Sequence, residues 1–255
     1  QYEPFMVQDP NRMPQNVATG VPTNRYSRRL GLLDRLEDEF ADRGGEIVVK
    51  NHRDLYGKTS KMVLSSDLKA FDISDEPTSM KEMYGDSNFG RGCMLARRLV
   101  EAGTTFVEIS SRGQGGNWDA HDNLYERVGN LSASIDPATA GLVTDLKDRG
   151  LLENTLVVWM GEFGRTPRIN PRGGRDHYPR VFNAAMAGCG IKGGQVIGSS
   201  TADGTAVADD PVTANDLFCT ICKSLDVDPR KENMSPLGRP MKIVDGGAPV
   251  EKLFA

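Results

Sequence analysis

The sequence has few cysteines and histidines, no long apolar run and no excess of basic charge. Its 255 residues include four cysteines, too few for a disulfide scaffold and not spaced like paired zinc knuckles. No stretch approaches the roughly 20 apolar residues of a membrane-spanning helix, so we predict no membrane span. Basic and acidic residues, 31 and 35 in number, are interspersed and give a net charge of -4. We therefore predict no nucleic-acid partner.

Residues 1–24 show neither helical nor strand periodicity. The segment is polar and rich in proline, and it begins with Gln1 rather than with an initiating methionine. We expect residues 1–24 to be extended or poorly ordered, in a chain that is processed or partial.

The rest of the chain alternates helical and strand-like segments. Apolar residues recur at helical spacing over residues 25–42, where Gly44-Gly45 ends the run, and again over about 88–101. Residues 104–110 (TTFVEIS) have the composition of a strand. A proline at the first helical position predicts a further helix over about 136–149.

Two apolar segments, residues 155–160 (TLVVWM) and 181–188 (VFNAAMAG), come next, and a helix is predicted over residues 214–225. A continuous apolar run is typical of a strand that helices cover on both faces. The alternation predicts an α/β fold with a mostly parallel sheet and helices on both faces. In such folds ligands bind at the carboxyl ends of strands.

Cys219 and Cys222 form a C-x-x-C motif inside the last predicted helix. The motif could serve redox or metal chemistry, but its amphipathic surroundings favour packing in the core. We predict buried or half-buried thiols that bind no metal.

Aspartate and histidine cluster in two glycine-rich loops. Asp119 and His121 follow the strand predicted at residues 104–110, and Asp176 and His177 lie side by side in GGRDHYP. Imidazole nitrogens and carboxylate oxygens form mixed sites that suit zinc, manganese or similar divalent ions, and glycines let loops approach an ion closely. Each pair alone could be a solvated or basic surface loop. Together they predict a shared site.

Glu162 directly follows the apolar segment 155–160, where a carboxylate needs a partner. It is either a further ligand or the ion-pair partner of Arg165. With Glu162 included, the predicted metal ligands are Asp119, His121, Glu162, Asp176 and His177.

Five motifs occur in order along the chain: GNWDAHDN, LKDRGLLENTLVVWMGEFGRTP, GGRDHYP, VTANDLFCTICKSLDVDP and PLGRPMKIVDGG. They resemble the signatures of the domain-of-unknown-function 1501 family, and the resemblance runs from about Arg25 to Phe254. This family is a distant relative of sulfatases and alkaline phosphatases. The resemblance implies that residues 25–255 are the C-terminal portion of an alkaline-phosphatase-like α/β domain, incomplete at the N-terminus.

In the sulfatase relatives a metal-binding Ser-Asp-His-Gly stands where this chain has residues 161–164 (Gly-Glu-Phe-Gly). The histidine of that motif is Phe163 here, so Asp176 or His177 would replace the missing ligand. The relatives take a first metal-binding aspartate and a Ser, Thr or Cys nucleophile from an N-terminal region without a match here, and no catalytic nucleophile is assigned. Asp216, near the matching helix, is interpreted as a structural cap.

The resemblance implies a metal-dependent hydrolase of phosphate or sulfate esters, with zinc favoured and manganese, calcium or magnesium as alternatives. Arg165 and Arg175 would bind the anionic substrate, a small molecule or a polysaccharide ester. The alternative is a non-catalytic envelope or assembly protein that retains the fold and a structural metal. Relatives carry twin-arginine export signals, which imply a periplasmic or cell-envelope location. A companion N-terminal polypeptide or a homo-oligomer is a further expected partner.

Overall fold

The structure is a computed structural model that describes residues 5–15, 17–111 and 118–254. Its contacts divide the chain into an N-terminal unit, residues 1–82 and 86–109, and a C-terminal unit, residues 83–85 and 110–255. No helix in the described ranges is both long and apolar enough to cross a bilayer. The boundary expected after residue 24 stays a prediction.

The N-terminal unit is helical. Its helices are α1 (Thr23–Phe40), α2 (Glu46–Val63), α3 (Thr78–Tyr84) and α4 (Asn88–Glu101), with a π-helical turn at Ala41–Gly45 and a 3₁₀ helix at Ser66–Phe71. The last two residues of α3 belong to the C-terminal unit.

Helix α1 confirms the helix predicted over residues 25–42, and the helical run ends at Gly44-Gly45 as the sequence indicates. Gly44 adopts φ +99°, which kinks the chain, and α2 follows directly. The two helices contact each other through the hydroxyls of Tyr26 and Ser60, which lie 3.2 Å apart. The glycines therefore mark the turn of a helical hairpin.

Helix α4 has the bounds that the sequence predicts. The Ser87 side chain accepts a hydrogen bond from the Gly90 amide at 2.9 Å and caps the first turn. Gly103, just beyond the last turn, adopts φ +92°. Local signals at both ends thus suffice to set this helix.

The strand predicted at residues 104–110 is not formed. The segment pairs with no strand in the described part of the chain, and Phe106 is 79% exposed. Strand propensity reflects packing against cross-strand neighbours, so composition without a partner does not make a strand.

The C-terminal unit mixes helices with short strands. Its helices are α5 (Leu124–Asp148) and α6 (Ala214–Ser224), with 3₁₀ turns at Leu152–Asn154 and Glu251–Leu253. Its strands are β1 (Val157–Met160), β2 (Gly164–Arg165), β3 (His177–Tyr178), β4 (Ala184–Ala187), β5 (Ser199–Ser200), β6 (Val207–Asp209), β7 (Glu232–Met234) and β8 (Pro240–Lys242).

The structure confirms a mixed α/β fold, but the mostly parallel sheet is wrong for the described residues. Their strands form two-stranded antiparallel sheets, in the pairs β1–β4, β2–β3, β5–β6 and β7–β8. A parallel pair needs a crossover, usually a helix. The connection from β1 to β4 instead holds the β2–β3 hairpin and loops, and the chain returns antiparallel with Val157 opposite Ala187.

Strand β1 is also not covered on both faces, as its apolar sequence suggested. Val157 and Val158 are half-buried, whereas Trp159 and Met160 are 43% and 48% exposed. The two predicted strands 155–160 and 181–188 do share a sheet, but that sheet is partly open to solvent.

Helix α5 begins at Leu124, twelve residues before the predicted start, and Pro137 lies inside it. Its buried face includes Ile135 and Ala138, which drive the helix to continue through the proline. The fully buried Tyr84 donates a hydrogen bond to the Asp145 carboxylate at 2.9 Å. A core contact thus fixes the end of α3 against α5.

Helix α6 confirms three sequence predictions. It spans Ala214–Ser224, and Asp216 forms a capping box with Thr213. Cys219 and Cys222 are 3% and 7% exposed. Burial and the neighbouring Cys219 raise the pKa of the Cys222 thiol, which favours its protonated form.

Replacing Thr213 with alanine should lower the free energy of unfolding by about 1 kcal/mol, because the first turn of α6 loses its cap. Urea unfolding followed by circular dichroism measures this. Thr144→Ala, at an exposed position inside α5, is the matched control and should change little. Equal stability of the Thr213 variant and the wild type would contradict the role of the capping box.

Candidate metal centre

Two parts of the C-terminal unit supply the clustered aspartate and histidine residues. Asp119 and His121 lie in the segment that precedes α5, and His177 lies on β3. In the β2–β3 hairpin His177 stands directly opposite Arg165. Residues opposite each other in an antiparallel pair point to the same face, so both side chains face the 119–121 segment.

The loop 170–176 holds these two parts together through backbone hydrogen bonds. Asp122 and Gly173 form an isolated antiparallel bridge. The contacts that extend it are Arg175 N to Ala120 O at 3.0 Å, Leu124 N to Gly173 O at 3.0 Å and Asn123 N to Arg172 O at 3.4 Å. This small ladder brings the 176–177 pair beside Asp119 and His121.

Gly174 permits this approach because it has no side chain. A Cβ at this position would overlap the carbonyl group of His121 and the backbone nitrogen of Asp122. Gly174 is thus required by a contact with backbone, whereas the sequence had suggested glycines that let the loops approach an ion.

Asp119, His121 and His177 form a group that could hold a metal ion. One candidate ligand atom from each lies within 4.8 Å of the others. The Asp119 Oδ1 atom is 2.8 Å from His177 Nε2 and 3.0 Å from His121 Nε2. The imidazole ring centres are 4.9 Å apart, which is close enough for both rings to reach one ion.

Asp176 lies behind His121 rather than in this group. Its Oδ1 is 2.8 Å from His121 Nδ1, on the side of the ring away from Asp119. A carboxylate at Nδ1 fixes the ring and leaves Nε2 as the ligand nitrogen, the arrangement found behind many metal-binding histidines. The contact with His121 lowers the pKa of Asp176.

Arg165 and Phe163 border the group. Arg165 Nη1 donates to Asp119 Oδ1 at 2.5 Å. Hydrogen bonds from His177 and then Arg165 hold the pKa of Asp119 at about 2. The Phe163 ring packs against His177 with ring centres 4.5 Å apart. Phe163, a non-ligand, therefore supports a ligand ring.

Two predicted site residues stand outside the cluster. The Glu162 side chain is 67% exposed, and its nearest ion-pair contact is Arg165 at 3.9 Å. Glu162 thus lies near Arg165, and its part as a metal ligand stays a prediction. Arg175 Nη1 donates to the carbonyl oxygens of Thr166 and Pro167 at 2.6 and 2.5 Å. Its part in substrate binding stays a prediction.

Asn170 is a site residue that the sequence did not reveal, and its side chain contacts both Asp176 and the backbone of His121. The available signal was an Asn-Pro step before Gly-Gly, which marks a turn. That signal predicts a local turn, whereas the contact with His121 reaches 49 residues back along the chain.

A family model described as "Protein of unknown function (DUF1501)" matches residues 1–254. The chain belongs to this family. No curated protein and no solved structure matches the chain significantly. Membership of DUF1501 confirms the family that the motifs indicate, and it assigns no activity.

In this DUF1501 chain, Gly174→Ala should separate the loop from the 119–124 segment. The new methyl group meets backbone, which cannot move as a flexible side chain can, so the loss of stability should reach or exceed the roughly 3 kcal/mol upper end of ordinary overpacking. Urea unfolding measures it. Gly193→Ala, where a Cβ meets open space, is the control. Similar stability of both variants would contradict the close approach.

Zinc binding by the DUF1501 chain should weaken as the pH falls from about 8 to about 5, the range in which imidazole gains a proton. Asp119 remains ionised throughout, because its pKa is lowered to about 2. Its ion-pair contribution to folding should be lost only as the pH falls towards that value. Titration calorimetry over a pH series measures the affinity. A pH-independent affinity would count against imidazole ligands.

Proposed function

We propose that this chain binds a divalent metal ion through Asp119, His121 and His177 and hydrolyses phosphate or sulfate esters there. Zinc is the favoured ion, with manganese, calcium or magnesium as alternatives. The convergence of two imidazoles and a carboxylate within 4.8 Å is the observation that carries the proposal. It supports a mixed nitrogen and oxygen donor set of the kind zinc accepts.

The donor set fits a metal ion with little rearrangement. Ligands at about 2.0 to 2.2 Å from a tetrahedral ion lie roughly 3.4 Å apart, and the Asp119 contacts with His177 and His121 are 2.8 and 3.0 Å. Three protein ligands leave a fourth position open, which is typical of catalytic rather than structural zinc. A bound ion would supply Lewis acidity and would stabilise negative charge on the ester group.

Arg165 is the proposed substrate-binding residue. Its Nη1 contacts Asp119, while the one contact of its Nη2 within the described part of the chain is the long 3.9 Å approach to Glu162. The guanidinium therefore lies at the edge of the donor set, where its planar fork could bind an anionic ester. Arg175, whose Nη1 holds two carbonyls, contributes positive charge and supports the loop.

Kinship with sulfatases and alkaline phosphatases is part of the same proposal. The ordered motifs support this kinship. The kinship in turn favours phosphate or sulfate esters, including polysaccharide esters, as the substrate class. It also supports a periplasmic or envelope location and a nucleophile outside the residues assigned here. Kinship of fold with alkaline phosphatases rests on the motifs alone, and the antiparallel pairing of the described strands does not support it.

The alternative function is a non-catalytic envelope or assembly protein. The observation that favours it is that Asp119 Oδ1 already accepts hydrogen bonds from Arg165 and His177. A carboxylate bonded in this way can stabilise the loops as a hydrogen-bonded cluster. A metal ion bound there would then stabilise the fold and would not take part in catalysis.

Metal binding and hydrolysis separate these functions. The purified chain should retain zinc after dialysis, measured by elemental analysis, and His121→Ala and His177→Ala should lose most of it. His52→Ala removes the third histidine of the chain and is the matched control. Zinc-dependent hydrolysis of p-nitrophenyl phosphate or sulfate would support the enzyme. Zinc bound without hydrolysis would favour the structural alternative, and equal zinc content in all four proteins would refute the metal site.

A further inference from the structure

Asn170 uses the full hydrogen-bonding capacity of its side-chain amide. Its Oδ1 accepts from the backbone nitrogens of Arg172 at 2.9 Å and Gly174 at 3.0 Å. Its Nδ2 donates to the carbonyl oxygen of His121 at 3.1 Å and to Asp176 Oδ1 at 3.2 Å. An amide has two donor hydrogens and two acceptor lone pairs on oxygen. One residue therefore joins the loop, the carboxylate and the histidine backbone.

These contacts admit only one orientation of the amide. Rotating it by 180° would set the NH₂ group against two backbone N–H donors and the oxygen against two oxygen acceptors. For the same reason an isosteric aspartate would place a negative oxygen beside Asp176 and the His121 carbonyl. The site thus requires an amide at this position and not merely a side chain of this size.

The contacts of Asn170 reach both ends of His121. One bond fixes the backbone from which the side chain projects, and the other fixes Asp176, whose carboxylate lies 2.8 Å from Nδ1 of the imidazole. Partners of this kind set the tautomer and direction of a ligand ring. Asn170 touches none of the three clustered side chains, so it acts through Asp176 and the backbone.

We propose that Asn170 is a positioning residue, which holds His121 with Nδ1–H bonded to Asp176 and Nε2 facing Asp119. The effect on metal affinity rests on the proposed metal site. The orientation of the His121 ring does not rest on the metal site, because the contacts that set this orientation are present without an ion.

Three readouts on the full chain test this role. Asn170→Asp and Asn170→Ala are compared with Asn233→Asp and Asn233→Ala at an exposed position on β7. Urea unfolding identifies variants that fold. Zinc affinity, measured by calorimetry on folded protein, should fall by about 10- to 100-fold in the Asn170 variants, most in the aspartate variant. The Asn233 variants should match the wild type.

The third readout needs no metal. In zinc-free protein labelled with ¹⁵N-histidine, the hydrogen on Nδ1 of His121 should be held in its bond to Asp176 and should give an imidazole N–H signal protected from exchange with water. Loss of this signal in His121→Ala assigns it. Both Asn170 variants should weaken or remove the signal, whereas a purely structural role would reduce stability and leave the signal unchanged.

The two readouts can fail separately. A wild-type chain that binds no zinc would end the proposed metal site, and the Nδ1–H signal of His121 would still decide the role of Asn170. Folded Asn170→Asp and Asn170→Ala proteins with the wild-type Nδ1–H signal would overturn the positioning role, even if both bound zinc weakly. If the aspartate variant does not fold, the alanine variant gives the same comparison.

Discussion

The candidate site depends on one close contact, that of Gly174 with the peptide between His121 and Asp122. Its neighbour Gly173 carries the backbone bridge to Asp122. These contacts bring together residues more than 50 positions apart in sequence and make a single cluster from two glycine-rich loops. A side chain at Gly174 would separate the loops, and with them the two histidines. The short antiparallel ladder, rather than a large sheet, is what positions the donor atoms.

Charge balance is the second constraint on the site. Asp119 is the centre of the cluster, and hydrogen bonds from His177 and Arg165 stabilise its ionised carboxylate. A cation that enters must replace the contacts between the imidazoles and this carboxylate and compete with the guanidinium for it. Arg165 would then be released from Asp119 towards an anionic group. The same residues can thus form either a closed hydrogen-bonded cluster or an open metal site, and the two proposed functions differ in which state the protein uses.

Local signals predicted α1, α4, α6 and the clustered histidines, but they missed α2, α3 and the first twelve residues of α5. Long-range pairing was predicted poorly. The serine cap and the terminal glycine of α4 act within a few residues and set its bounds correctly. The apolar run of β1 did not distinguish parallel from antiparallel pairing, because both bury similar side chains. Composition showed that Asp119, His121 and His177 were unusual, but it could not separate them from Glu162, whose exposure follows from the tertiary fold. Asn170 was missed because its role lies in contacts with a distant segment.

The X-ray absorption spectrum of the zinc-loaded chain tests directly whether Asp119, His121 and His177 bind the ion. Absorption at the metal edge reports the type, number and distance of the atoms that bind the ion. For the proposed site we expect nitrogen and oxygen ligands at about 2.0 to 2.2 Å, with the scattering pattern of two imidazoles, from His121 and His177. Sulfur ligands at about 2.3 Å, the distance expected for binding at Cys219 and Cys222, or a spectrum without imidazole would contradict it.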